Sequence, residues 1–259
     1  MNVHVEAYTK RYISRGNRVR LILTAITAVV LTVLFSTLYL LTIPFDKRNK
    51  AFSFFAYHWS KAILGVTGIR VKVAGLEKID ISKPHVFVSN HASLFDITAI
   101  VVGVNRYVRF VAKKEIARVP IFGWAVSHAH IMIDRKNAAD SLRSLQKAAR
   151  QIAQGDSVIV FAEGTRTRNG SLLPFKRGAF ALAIEAGVPV VPLTILGSFN
   201  IMKKGSLNIK KGIITILVDE PIDVSDYRAK QGAIELMNRV RTIIERNYVR
   251  STTSNERNR

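Results

Sequence analysis

From residue 69 onward the chain alternates short β-rich runs with helical patterns, and no other feature restricts its fold as much. Residues 69–74 alternate apolar and polar side chains; 85–89, 107–112, 129–134, 157–162, 188–196 and 213–218 are further strand-like runs. Between them, 138–154 places Leu142, Leu145, Ala149 and Ile152 at helical spacing and stops at Gly155. Residues 178–186 are alanine-rich and stop at Gly187. Residues 232–250 gather Ile234, Met237, Val240 and Ile244 on one face. This alternation predicts an α/β domain with a mostly parallel central sheet flanked by helices. Ligands of such sheets bind beyond the carboxyl ends of the strands, so the residues that follow each strand are where chemistry is sought.

A second constraint lies upstream. Residues 21–43 carry no charge, and as a helix they would extend about 34 Å, enough to cross a hydrocarbon core. The run is too long for a signal-peptide core and no small-residue cleavage site follows it, so retention is expected. Lys10, Arg11, Arg15, Arg18 and Arg20 precede it; Lys47, Arg48, Lys50 and Lys61 follow. With both flanks basic, the positive-inside rule sets no orientation. Residues 51–69 mix Phe52, Phe54, Phe55, Tyr57, Trp59, Ile63 and Leu64 with His58 and Lys61, as interfacial amphipathic helices do. Two helices hinged near Pro44 and dipping into one leaflet fit this pattern, and so does a simple span; a buried helix of the following domain is the plainer alternative. The expected organisation is an N-terminal two-helix membrane-anchoring segment over 1–68, a catalytic domain over 69–250 and a polar, disordered tail over 251–259.

Charge narrows the partners. Lys and Arg number 39 against 18 Asp and Glu, a net charge of +21 over 259 residues. Such an excess calls for a polyanion, nucleic acid or an anionic lipid surface. The apolar segment favours lipid, and basic patches interleaved with aromatics, as nucleic-acid binding would need, are missing. The absence of cysteine excludes disulfides, a thiolate nucleophile and cysteine metal ligands, and suits a domain facing the cytosol.

Two runs carry the chemistry. Asn90-His91-Ala92-Ser93-Leu94-Phe95-Asp96 follows the run 85–89. Activating an alcohol near neutral pH suits an imidazole base held in one tautomer by a carboxylate. On an ideal helix His91 and Asp96 would lie about 140° apart, so they meet only if His91 sits in a turn and Asp96 in the first turns of the next helix, with Asn90, Ser93 or both as caps. Taken alone, this run is better explained by an N-cap beside a solvated aspartate. The second run, Phe161-Ala162-Glu163-Gly164-Thr165-Arg166-Thr167, leaves a strand into a glycine turn. Its backbone N–H groups, its hydroxyls and the Arg166 fork suit a phosphate; a basic surface loop is the competing reading. His128 and His130 would share one face of a strand, but no third ligand is evident and no metal is expected. Ser93 lacks the glycine elbow of a hydrolase nucleophile.

In this order and spacing, the runs resemble the PlsC-type glycerolipid acyltransferases, most closely those acting on 1-acyl-sn-glycerol 3-phosphate (lysophosphatidate). The His-x4-Asp block matches at His91 and Asp96. Further blocks resemble Ile131-Met132-Ile133-Asp134-Arg135, Phe161 to Arg166, and Val188-Pro189-Val190-Val191-Pro192; Val111-Ala112-Lys113-Lys114-Glu115 is also similar. The likeness spans roughly residues 73–220. It implies acyl transfer from acyl-CoA or acyl-carrier protein to the free hydroxyl of lysophosphatidate, giving phosphatidic acid, with no cofactor. It implies His91 as base, Asp96 as its orienting partner and Arg166 as phosphate ligand beside one of Lys113 and Lys114. Arg135 becomes a secondary phosphate contact or a structural ion pair. Glu163, Gly164 and Thr165 shape the substrate turn. The implied partners are the two substrates and an anionic membrane surface, with no nucleic acid, and the implied location is a membrane, inner if bacterial, with the catalytic domain towards the cytoplasm. Glycerol 3-phosphate or another lysophospholipid is the alternative acceptor. A lysophospholipase and a membrane-tethered nucleic-acid binder are the rivals from other classes.

Overall fold

The computed structural model describes residues 15–46, 50–134, 138–229 and 231–257. It opens with an antiparallel helix pair, α1 (Arg15–Thr42) and α2 (Lys50–Thr67), joined through a 3-10 turn, Ile43–Phe45. Pro44 has no N–H to donate, which helps to end α1 there. The pair is zipped by aromatic contacts. Tyr39 lies edge-on to Phe52 with centroids 4.9 Å apart, Phe35 lies edge-on to Phe55 at 6.4 Å, and Trp59 Nε1 donates to Thr32 Oγ1 at 3.0 Å. The outward face of α1 is bare: Val29 is 63% and Leu41 68% exposed. Only Ile22–Phe45 is long and apolar enough to cross a membrane among the described residues. Two helices stand where a two-helix anchor is expected, but the apolar spanning length is confined to α1; α2 is shorter and partly buried.

The sheet has seven strands, β1 (Ile69–Ala74), β2 (Val86–Ser89), β3 (Arg109–Lys113), β4 (Ile131–Ile133), β5 (Val158–Phe161), β6 (Val190–Leu196) and β7 (Gly212–Val218), in the order β1-β7-β6-β2-β5-β3-β4. Strands β2 to β6 run parallel; β7 is antiparallel to β6, and β1 is parallel to β7. Connecting them are α3 (Phe95–Val104), α4 (Phe122–Ala129), α5 (Ala138–Ala153), α6 (Gly178–Ala186), α7 (Ser198–Ile201) and α8 (Gly232–Arg257).

Alternation along the strands divides the core in two. Val86, Val88 and Val158 face a layer containing Ile152, Phe180, Leu236, Val240 and Ile244; Phe87 and Ile159 face one containing Ile63, Leu64, Ala99 and Ile100. Burying each large side chain contributes about 1.5–3 kcal/mol, and covering both faces is what makes the central strands near-continuous apolar runs. The carboxyl ends of β2, β5, β3 and β4, neighbours in that order, therefore open on one edge.

Two elements depart from the sequence reading. Residues 122–129 form α4, a helix that the sequence reading does not include, and His128 lies on it rather than on a strand. The expected disordered tail over 251–259 is helical through Arg257. Extending an existing helix adds one hydrogen bond per residue fixed, without a new nucleus.

Candidate active site

Strand β2 hands the chain to Asn90, whose amide is buried and bound twice to the backbone of β6. Its Oδ1 accepts from Ile195 N at 2.8 Å and its Nδ2 donates to Ile195 O at 2.9 Å. Asn90 is thus a clamp between strands and not the expected helix cap. Ser93 is also turned elsewhere: its hydroxyl donates to Met202 O at 2.9 Å and receives only a long 3.4 Å contact from Phe95 N. The residue that ties the loop together is Asp96. Its Oδ2 accepts from Ala92 N at 2.7 Å, Ser93 N at 2.9 Å and His91 Nδ1 at 2.8 Å. Asp96 is fully buried, and the His91 side chain is 13% exposed. With Nδ1–H committed to the carboxylate, Nε2 holds the imidazole's free lone pair. The ring is held in place from one side by Phe161, stacked at 3.9 Å and 11°. Sequence reasoning missed this stacking role, although Phe161 stood in the quoted run.

The second loop leaves β5 beside β2 and folds back on the first. Glu163 Oε1 accepts from His91 N at 2.8 Å and Oε2 from Leu173 N at 3.0 Å, while Thr167 N donates to His91 O at 3.0 Å. Burial pushes the Glu163 carboxyl up to about 7, against the two N–H donors, and the Asp96 carboxylate adds to the rise. Tyr248 on α8, within 3.4 Å of Asn90 Nδ2, is pushed up to about 12 by burial and by the Asp96 and Glu163 carboxylates. Gly164 has φ of 69°, a left-handed turn that a side chain would strain and crowd against Lys176. Thr165 is exposed, and its Oγ1 accepts from Lys204 Nζ at 2.8 Å; Lys204 also donates to Arg166 O at 3.2 Å. Lys204 escaped sequence reasoning because it comes from the α7–β7 connection, and a surface Lys-Lys pair carries no motif. The half-buried Arg166 guanidinium pairs with no side chain among the described residues. The Thr167 hydroxyl, expected to serve an anion, instead donates to Asn169 Oδ1 at 3.0 Å.

This edge can be set against known proteins. A family model described as "Acyltransferase" matches residues 70–196, which contain both loops and the strands that carry them. These residues form an acyltransferase-family domain. A chloroplastic 1-acyl-sn-glycerol-3-phosphate acyltransferase of Brassica napus is 34% identical over 83% of this chain and 64% of its own length. A protein of the same name from Limnanthes douglasii is 35% identical over 64% of this chain and 59% of its own. This chain therefore spans less than two thirds of either relative. The crystal structure of the Thermotoga maritima lysophosphatidate acyltransferase PlsC matches with a TM-score of 0.78 at 26% identity, over 92% of this chain and 96% of that one.

Within this acyltransferase domain the remaining expected residues fall as the strand order dictates. Lys113 ends β3 and Lys114 opens the next turn, both exposed on the edge that β5 and β3 share. Arg135, expected as a secondary phosphate contact, lies outside the described residues; Asp134, just after β4, is the last described residue before it. The imagined His128–His130 metal pair is separated. His128 is exposed on α4, whereas His130 Nδ1 faces Phe110 N at 3.3 Å and its ring packs on Phe52. Burial and the Arg109 charge pull His130 down to about 3, so it is neutral. An apolar cavity of about 490 Å³ runs between the helix pair and the sheet, with Leu94, Phe95 and Met202 at its catalytic end. That volume is within the range of small-molecule sites, about 300–1,000 Å³.

Proposed function

We propose that the protein transfers a fatty acyl group from acyl-CoA or acyl-carrier protein to the free hydroxyl of 1-acyl-sn-glycerol 3-phosphate, giving phosphatidic acid in phospholipid synthesis. The observation that carries this reading is the 2.8 Å His91–Asp96 dyad, one strand away from the Arg166 guanidinium, which pairs with no side chain among the described residues. His91 Nε2 takes the acceptor's hydroxyl proton as its oxygen attacks the thioester carbonyl carbon. Asp96 stabilises the imidazolium through Nδ1–H. As the tetrahedral adduct collapses, the carbon–sulfur bond breaks and the proton on Nε2 passes to the departing thiolate. No acyl-enzyme is formed and no cofactor takes part. Arg166, with Lys113 or Lys114, holds the acceptor phosphate, and Lys204 keeps the Arg166 loop in shape. The apolar cavity takes an acyl chain, because its upper lining adjoins the dyad.

The same reading makes residues 1–68 a membrane anchor, 69–250 the catalytic domain and an anionic membrane surface the working partner, with the domain on the cytoplasmic side. The bare apolar face of α1 and the net charge of +21 support it. The names of the relatives and of the solved structure support the choice of lysophosphatidate. An acceptor panel of lysophosphatidate, glycerol 3-phosphate and lysophosphatidylcholine, run with labelled acyl-CoA and labelled acyl-carrier protein, tests it. Fastest transfer to lysophosphatidate is expected. Release of free fatty acid without an acceptor would replace transfer by hydrolysis, and preference for another acceptor would overturn the assignment.

A further inference from the structure

The apolar cavity does not close at its far end. Its lower rim, Ser53, Tyr57, Asn105, Arg106 and Tyr107, also lines a second recess of about 1130 Å³ that reaches the amino ends of β3 and β5. This is the edge of the sheet opposite His91. The recess is basic: Lys50, Arg106 and Arg109 line it, with Asp156 as their acidic counterpart. Asp156 is used by Arg109, whose Nε donates to its Oδ2 at 2.6 Å. Lys50 and Arg106 are left without a carboxylate among the described residues, and Arg106 reaches only the carbonyls of Ser82 at 3.2 Å and Lys83 at 3.5 Å. His58 donates Nδ1–H to Phe54 O at 2.8 Å, leaving its other nitrogen available. Phe54, which also lines the recess, is 56% exposed, the kind of apolar tip that enters a lipid interface.

A hydrocarbon bore that opens on uncompensated cations fits an amphiphile with an anionic head. A free inorganic anion would leave the bore unused, and a neutral lipid would leave Lys50 and Arg106 unanswered. We propose that the recess binds the headgroup phosphate of an anionic phospholipid that is not a substrate, with one of its acyl chains in the lower part of the apolar cavity. One consequence rests on the function proposed above: a lipid seated from below competes with the acyl donor's chain for the same space.

The binding claim can be tested without turnover. The chain has two tryptophans, and Trp59 lines the cavity whereas Trp124 does not. The full chain carrying Trp124→Phe is titrated in detergent micelles with phosphatidylglycerol bearing a brominated acyl chain, which quenches a tryptophan it touches, and with the matching phosphatidylcholine. Saturable quenching is expected at roughly tenfold lower phosphatidylglycerol than phosphatidylcholine, the scale of one charge-assisted contact. Lys50→Ala with Arg106→Ala should abolish that preference. Lys210→Ala with Lys211→Ala, an equal loss of charge on another surface, should keep it, and Arg106→Lys should restore it in part. Inorganic phosphate at matched concentration should neither quench nor displace. Equal quenching by both lipids, or a preference that survives Lys50→Ala with Arg106→Ala, would overturn the site. In a separate assay, phosphatidylglycerol should raise the donor KM of the wild type and not of that double variant. If the binding arm succeeds and this one fails, the site stands and it is the place given to the donor's chain that is wrong.

Discussion

The loop after β2 and the loop after β5 lie side by side on one sheet edge, yet they are built in opposite ways. Around His91 nearly every polar group is engaged: Asp96 Oδ2 takes three donors, Asn90 grips Ile195 from both ends of its amide, and Glu163 holds the His91 N–H. Around Arg166 the hydrogen bonds go to the backbone and to Thr165, and the guanidinium points to no protein partner among the described residues. The difference matches the two tasks proposed for them. Proton transfer demands placement within a fraction of an ångström. Capture of a phosphate works through charge and a flexible fork, and a cation already paired would have to be released first.

Removing the base should have the largest effect. His91→Ala should lower kcat by about 10²–10⁴ with little change in either KM, read by steady-state kinetics; a near-normal kcat would break the assignment of roles. Next is the strut between the loops. Glu163→Ala leaves the part-buried N–H groups of His91 and Leu173 without their acceptor, at up to about 1–3 kcal/mol each, so urea midpoints should fall and kcat with them. Arg166→Ala should raise the acceptor KM by about 10–100-fold, the worth of one charge-assisted hydrogen bond, and leave the donor KM alone. Equal effects on both would mean that the loop is only a strut. Glu163 also predicts a pH dependence. Its pKa rises from 4.5 to about 7 on folding, so between those values the folded chain holds a proton that the unfolded chain has lost. Stability therefore falls as pH rises through that interval, and Glu163→Gln should flatten the slope in urea titrations. The smallest effect is expected at Lys204. Lys204→Met should raise the acceptor KM about threefold to tenfold, as an exposed hydrogen bond to a charged group would.

The same contrast explains how much of the site could be read from the chain. The His91–Asp96 contact lies within one loop, so its spacing already stated the condition for contact, a turn followed by a helix start. Gly164 before Arg166 likewise announced a turn at a strand end. The cap assigned to Asn90 failed, and Ser93 caps only through a long bond from Phe95 N, because their main partners, Ile195 and Met202, are distant in sequence and reach the loop only when β6 and its following segment pack beside β2. Lys204 was invisible for the same reason. The helix over 122–129 was hidden by a run too short to show its period, and the helical tail by a composition that suits disorder as well as the end of a long helix.

By itself the sequence determined the chemical inventory: an imidazole with its carboxylate, a guanidinium on a glycine turn, a charge-free apolar helix and an α/β alternation that sets catalytic residues at strand ends. These are local properties, fixed by spacing and side-chain type. The tertiary structure alone decided that β5 lies next to β2, that Glu163 supports the backbone of His91, that Lys204 and Tyr248 reach the site, and that the helix pair encloses a cavity joined to a basic recess. Strand order and cavities depend on how both faces of the sheet are covered at once, and that is a property of packing between distant segments which no local period records.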